Sequence, residues 1–297
     1  MREDFCAMIL THGRPDRLYT VEALRSHGYT GKLFLVIDDE DKTADRYREL
    51  YGDKVLTFSK SDIARRFDEG DNFNDRRSIF YARNAAFELA REVGCRFFVQ
   101  LDDDYSGFYY RFGAGGFYGS YKLARLDWLL SELCDFLAAT PFAAVAMSQG
   151  GDHIGGGGAT GNRRIRSYRK AMNSFVCDTL KPFRFIGRIN EDVNTYTAEQ
   201  RRGVAFLTFM AAQVNQKATQ SNAGGMTELY LDAGTYLKTF YSVMYAPSAV
   251  KVGSLGDPRV DGVGHTRIHH AIDWDACAPL ILREQHRKTP AGFPAGA

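Results

Sequence analysis

No stretch of the 297 residues holds an apolar run near the roughly 18 residues that a bilayer-spanning helix needs, so no transmembrane helix is expected. A secretory leader is not expected either. The N-terminal MREDFCAMILTHGRP mixes acid with base before a very short apolar stretch, unlike a charged head followed by a long apolar core. Cysteine is sparse and unpatterned: Cys6, Cys95, Cys134, Cys177 and Cys277 are odd in number and show no C-x-x-C spacing. That argues against a disulfide framework and a zinc site, and for reduced, mostly buried thiols. Charge of one sign is missing too. With 38 basic and 36 acidic side chains the net charge is +2, too mild to demand a polyanionic partner, so any such contact has to come from local clustering. No internal repeat or low-complexity segment appears apart from the closing PAGFPAGA, which reads as a flexible tail over 290–297.

What the chain does contain is an alternation of short apolar runs with helical stretches. FCAMIL, residues 5–10, reads as a buried strand, followed by turn residues in THGRP and a helix in DRLYTVEALRSHG. KLFLVIDDEDKT repeats the unit, with a strand over 33–37 ending in Asp38 and Asp39; TADRYRELYG is then a helix closed by Gly52. KVLTFSK supplies a third strand, and residues 60–76 read as polar and irregular. SIFYARNAAFELAREVG is an amphipathic helix leading into a strand over 96–101. Strands alternating with helices predict an α/β fold with a mostly parallel central sheet, in which ligands bind beyond the carboxyl ends of the strands. Thr11, Asp38, Asp39 and Asp102 all fall there.

The triplet Asp102, Asp103 and Asp104 ends the strand RFFVQL. On extended backbone alternate side chains share a face, which would put Asp102 and Asp104 together and Asp103 opposite. Two converging carboxylates repel unless a cation lies between them, and an all-oxygen setting suits a hard ion such as Mg²⁺ or Mn²⁺ holding a diphosphate. A solvated turn is the plainer reading of the same residues.

The second half is less regular. ARLDWLLSELCDFLAAT reads as a helix and FAAVAMSQG as a strand, and SFVCDTL, VAFLTF and TFYSVMYAPSAVKVG are further strand candidates. The glycine cluster at 155–158 precedes NRRIRSYRK, where Arg163, Arg164 and Arg166 are candidate contacts to an acceptor's phosphates, or simply a charged surface. Arg76, Arg77, Arg201 and Arg202 are further candidates for such contacts.

A strand ending in Asp-x-Asp, the Arg83-Asn84 pair on the helix before it and an N-terminal Thr-x-Gly-Arg-Pro together resemble the GT-A class of nucleotide-sugar glycosyltransferases. With Asn190-Glu191-Asp192 and the late GHTRIHH, the series resembles the TET-associated glycosyltransferases of bacteriophages. The resemblance covers most of the chain. It implies a single GT-A-like domain over 1–289, with a nucleotide-sugar half at 1–110 and an acceptor half at 111–289. It also implies a UDP-sugar donor, a Mn²⁺ or Mg²⁺ ion, and a 5-hydroxymethylcytosine-type base in phage DNA as acceptor, placing the protein in the host cytoplasm. A glycan or other non-DNA acceptor is the alternative.

The site residues implied are these. Asp102 and Asp104 hold the metal, with His265 as a further ligand and His269 or His270 in reserve. Thr11, Arg14, Asp38, Asp39, Arg83, Asp102 and Asp103 meet the nucleotide sugar. Asp192, with Glu191 in reserve, takes the proton from the acceptor hydroxyl; both could instead be acids favouring a helix N-terminus. A nucleotidyltransferase would carry a glycine-rich, basic phosphate loop near the N-terminus, which THGRPDRL does not match.

Overall fold

Phe5–Leu10 (β1) is an unbroken apolar run, and every residue of it is buried. Its side chains alternate: Phe5, Ala7 and Ile9 enter one core cluster, and Cys6, Met8 and Leu10 enter another. A strand buried on both faces needs a helical layer on each side, and the computed structural model provides both. It describes residues 1–114, 117–153, 165–166, 173–216, 234, 236–256 and 266–277.

The first half follows the strand–helix alternation. β1 leads through α1 (Tyr19–Ser26) to β2 (Lys32–Asp38), then α2 (Ala44–Tyr51), β3 (Val55–Phe58), α3 (Lys60–Arg66), α4 (Phe80–Glu92) and β4 (Phe97–Asp102). β1 pairs in parallel with β2 on one side and with β4 on the other, and β2 pairs in parallel with β3. The chain therefore steps from β1 outward to β3 and returns to the opposite side of β1. Crossovers of one hand then place α1 and α4 on opposite faces, matching their membership of the two clusters. Between β1 and β4 lies the point where strand order reverses, the place at whose carboxyl ends open α/β sheets bind ligands.

The remaining strands make the sheet mixed. β5 (Tyr105–Ala114) and β6 (Phe117–Lys122) form a hairpin, followed by α5 (Leu126–Ala139), β7 (Ala144–Gln149), β8 (Ile165–Arg166), β9 (Phe175–Asp178) and β10 (Phe206–Gln216). The order is β3-β2-β1-β4-β9-β7-β10-β5-β6, with β8 beside β10. β7 and β10 are parallel, while β9 runs antiparallel to both β4 and β7. The expected α/β class with a largely parallel core holds in the N-terminal half. α6 (Glu191–Gln200) and α7 (Leu237–Tyr245) follow, α7 packing on a separate hairpin of β11 (Val250–Gly256) and β12 (Thr266–Ile272). All five cysteines are free and buried, as their scatter suggested.

Three local readings need correction. Residues 60–66 are helical, because Ile63 anchors a turn beneath α4 that the polar composition masked. TFYSVMY belongs to α7, where Thr239, Tyr241 and Ser242 are buried; packing overrides the strand preference of its aromatic and β-branched side chains. α4 is not a half-exposed helix. Of its residues only Glu88, Arg91 and Glu92 escape burial, so the polar pair Arg83 and Asn84 lies inside the protein.

His27, just past α1, ties the hairpin to this frame: its Nδ1–H donates to the Leu123 carbonyl at 2.7 Å, and Nε2 accepts from the Phe108 N–H at 3.3 Å. Burial holds His27 below its ordinary value. The unfolded chain takes up that proton more readily, so the anchor is intact above the ordinary histidine value of ~6.5 and weakens as pH falls below it. Thermal unfolding followed from about pH 7.5 down to about pH 5 should show Tm falling, and His27→Gln should blunt the fall.

Candidate active site

The strand β4 stops at Asp102, and Asp103 and Asp104 form the turn into β5. The triplet is therefore not extended, and the expected alternation of faces does not reach Asp104. Thr20 of α1 holds the turn's backbone. Its hydroxyl donates to the Asp102 carbonyl at 2.6 Å and accepts the Tyr105 N–H at 2.9 Å, while its own N–H reaches the Asp103 carbonyl at 3.2 Å. The three carboxylates turn to three different partners. Asp102 accepts from Arg83 Nη2 at 3.0 Å and Asn173 Nδ2 at 3.2 Å. Asp103 accepts from the Thr11 hydroxyl at 2.7 Å and Arg14 Nη1 at 3.2 Å. Asp104 accepts from Gln216 Nε2, at the end of β10, at 3.0 Å.

Arg83 joins this turn to the second acidic pair. Its Nε donates to Glu191 Oε1 at 3.0 Å, so one guanidinium bridges Asp102 and Glu191. It is wholly buried, with Phe175 and Phe185 ring centroids 5.5 and 5.7 Å from its carbon. Beside Glu191, Asp192 accepts from the Val193 N–H at 2.8 Å and the Tyr196 hydroxyl at 3.2 Å. Both acids stand in the first turn of α6, where the helix dipole favours them. The approach to α6 is strained. Asn190 adopts the left-handed conformation at φ 61°, braced by its amide to Ser242 Oγ at 2.7 Å. Gly187 is left-handed as well, and a Cβ there would stand 2.5 Å from the Asn194 amide.

A second cluster caps β1 and β2. Asp38 accepts from His12 Nδ1 at 2.7 Å and pairs with the buried Lys60 ammonium at 3.1 Å. Against the cost of burial, His12 and Lys60 hold Asp38 below its ordinary value; the same hydrogen bond raises His12. Asp39 is exposed, and accepts the Lys60 N–H at 2.9 Å. Tyr47 braces the 11–14 loop: its hydroxyl lies 2.8 Å from that of Thr11 and accepts the Arg14 N–H at 2.9 Å. His12, Thr20, Lys60, Tyr47 and Asn173 were not selected from sequence. His12 and Thr20 lie within a few residues of motifs that were, whereas Asn173 is brought in only by the fold.

The other expected residues either lie outside the described part of the chain or meet different partners. His265, Arg163 and Arg164 lie outside the described residues, as does the Arg166 side chain, whose backbone is in β8. His269 and His270 lie in the separate two-stranded sheet, their ring centroids 4.2 Å apart and their planes tilted by 33°. Arg76 pairs with Glu40, Arg77 with Asp75 and Arg202 with Glu199, so these three are committed to nearby carboxylates.

The family model of the TET-associated glycosyltransferases matches residues 5–225, a span containing both acidic clusters. The chain belongs to that family. Among curated proteins none matches the chain. Among solved structures, glucosyl-3-phosphoglycerate synthase from Mycobacterium tuberculosis with Mn²⁺, UDP and phosphoglyceric acid is 10% identical, with TM-score 0.44 over 91% of this chain and 88% of that one. The same enzyme with Mn²⁺, UDP-glucose and glycerol 3-phosphate gives 10% and 0.46 over 92% and 91%. A mycobacterial protein gives 9% and 0.47 over 92% and 88%. Likenesses this distant carry no argument about the chemistry of this glycosyltransferase, which rests on its own side chains.

Electrostatics says what those side chains can hold. Among the described residues, Asp102, Asp103, Asp104 and Glu191 meet two guanidiniums, Arg14 and Arg83, a formal surplus of two negative charges. Burial, then the charges of Asp102 and Asp103, push Asp104 up to about 6. Burial also raises Asp102, Asp103 and Glu191 against the opposing pull of the arginines. Asn173 Oδ1 is a buried acceptor with no protein donor, and Arg14 Nε a buried donor with no acceptor. Unbalanced carboxylates with a spare carbonyl suit a hard divalent cation. No group of three metal-ligating side chains is preformed among the described residues. Removing the bridging cation would leave Asp102 and Glu191 buried and uncompensated. Arg83→Met should cost about 3–5 kcal/mol of stability, measured by denaturant unfolding, with loss of any turnover.

Proposed function

We propose that this protein is a metal-dependent glycosyltransferase that moves a sugar from a UDP-sugar to a hydroxymethylated pyrimidine of the 5-hydroxymethylcytosine type in DNA. The observation that carries the reading is the convergence, in a TET-associated glycosyltransferase, of the Asp102–Asp104 turn and the Glu191–Asp192 pair on one buried arginine at the reversal point of the sheet. The TET association in the family's description supports an acceptor base bearing a hydroxymethyl group, and no helix among the described residues is long and apolar enough to cross a membrane.

Mn²⁺ or Mg²⁺ held by Asp102 and Asp104 would neutralise charge on the departing diphosphate. The chain's own residues do the rest. Arg83 fixes the direction of Asp102, and Thr20 fixes the turn that carries Asp104. Thr11 and Arg14 are spent on Asp103, so Asp103 anchors the 11–14 loop, whose Arg14 then borders the diphosphate. The nucleoside lies across the ends of β1 and β2, against Asp38, Asp39 and the half-exposed His12. Asp192 takes the proton from the acceptor hydroxyl; Glu191, pinned to Arg83, positions it. His265 as a further ligand, and Arg163, Arg164 and Arg166 as acceptor contacts, remain part of this proposal.

The test is a transfer assay with a panel of UDP-sugars, with Mn²⁺ or EDTA, on DNA containing cytosine or 5-hydroxymethylcytosine, read by nucleoside mass spectrometry. A hexose-sized gain is expected only on the modified DNA and only with metal. Asp104→Asn should lower the rate by about 10²-fold or more, and Asp192→Asn should lower kcat with the KM for the donor little changed. UDP release that depends on metal but yields no labelled DNA would discard the DNA acceptor. An Asp104→Asn variant of full activity would discard the metal site.

A further inference from the structure

The strand that leaves the aspartate turn carries a surface outside the site described so far. From Tyr105 to Arg125, across β5, β6 and the run into α5, the sequence holds eight aromatic residues, three basic ones (Arg111, Lys122 and Arg125) and no carboxylate. In a chain with 36 acidic residues among 297, a stretch of this length without one is a local charge bias that the net charge of +2 hides. The hairpin puts part of this stretch in solvent. Phe112 and Tyr121 are 49% and 47% exposed, and their rings lie parallel, 4.5 Å apart with 8° between planes. Gly119, opposite Phe112, makes that possible, since a Cβ there would stand 2.5 Å from the Tyr121 ring, which lies across it. Tyr110, paired with Tyr121, roots the pair in the core. Lys122 and Arg125 are exposed, and Arg125 lies 5.7 Å from the centroid of Trp128, itself 49% exposed.

A stacked aromatic pair half open to solvent, on a hairpin that carries exposed cations and no carboxylate of its own, suits a nucleic acid strand whose bases stack while its phosphates meet the cations. The position suits it as well. β5 begins at the residue after Asp104, and at ~3.4 Å per residue Phe112 stands roughly 27 Å along the strand from the turn. That is within reach of the roughly 4–16 nucleotides that such single-strand grooves cover.

We propose that the β5–β6 hairpin is the docking surface for the acceptor DNA, taken as an unpaired strand, with bases stacked on Phe112 and Tyr121 and phosphates on Lys122 and Arg125. This rests on the DNA-acceptor reading above. It adds a platform that grips the acceptor strand away from the reacting base.

The experiment uses the full-length protein with a single-stranded oligonucleotide containing 5-hydroxymethylcytosine. Affinity is read by fluorescence anisotropy over a range of salt, and metal-dependent UDP release is read without DNA. Phe112→Ala with Tyr121→Ala should weaken oligonucleotide binding roughly ten-fold or more and leave UDP release unchanged. Lys122→Ala with Arg125→Ala should reduce the slope of log affinity against log salt by about one to two. Phe112→Tyr, which keeps a ring, should bind like the parent. Unchanged affinity and salt slope in both double variants, while the parent glycosylates DNA, would overturn the surface and spare the acceptor reading. A parent that neither binds nor glycosylates DNA would remove both. A parallel fall in Tm and UDP release in the aromatic variant would assign the rings a structural role and also overturn the surface.

Discussion

A single buried guanidinium holds the two acidic motifs of this protein in one place. Arg83 sits on α4, between the sheet and α6, and bonds Asp102 at the end of β4 and Glu191 at the start of α6. A cation with no exposed surface is tolerable only because two carboxylates share it and two aromatic rings flank it. The dependence runs both ways, since each carboxylate is buried too. Raised by burial and by the charge of Asp192, these acids stay together only while Arg83 lies between them. Asn84, the next residue, locks the same helix to the 183–187 segment through bonds with Phe185, fixing the entry to α6.

Around that contact the sheet topology does the placing. Because strand order reverses between β1 and β4, the Thr11–Arg14 loop and the aspartate turn lie side by side at the strand ends, joined through Asp103. Thr20 closes the arrangement from α1 by bonding the backbone of the turn. The charge surplus left at these strand ends fits a site that binds a cation with an anionic donor, in keeping with a glycosyltransferase family. The mixed half of the sheet has a different role. β10 brings Gln216 to Asp104, and β5 carries the backbone from that carboxylate out to the aromatic hairpin.

Much of this was legible in the chain as written. The parallel strands of the first half are continuous apolar runs ending in Thr11, Asp38 and Asp102, and period and punctuation were enough to find them, because strands buried on both faces tolerate little else. The order of Thr-x-Gly-Arg-Pro, Arg-Asn, the aspartate triplet and Asn-Glu-Asp was enough to reach the family. Composition alone spoke for free thiols.

Tertiary structure decided what the side chains do. That Asp102, Asp103 and Asp104 part to Arg83, Arg14 and Gln216 depends on a turn beginning where a strand pattern seemed to continue, and on partners up to 112 residues away. That Arg83 bridges two acids 19 and 108 residues distant, rather than lining a helix surface, depends on α4 being buried along residues 80–87. The helical state of TFYSVMY and the stacked ring pair of the hairpin likewise arise from packing across the fold. A sequence specifies local periodicity and residue chemistry; which charges share a partner is decided by long-range burial, where unpaired ionised groups are too costly to leave.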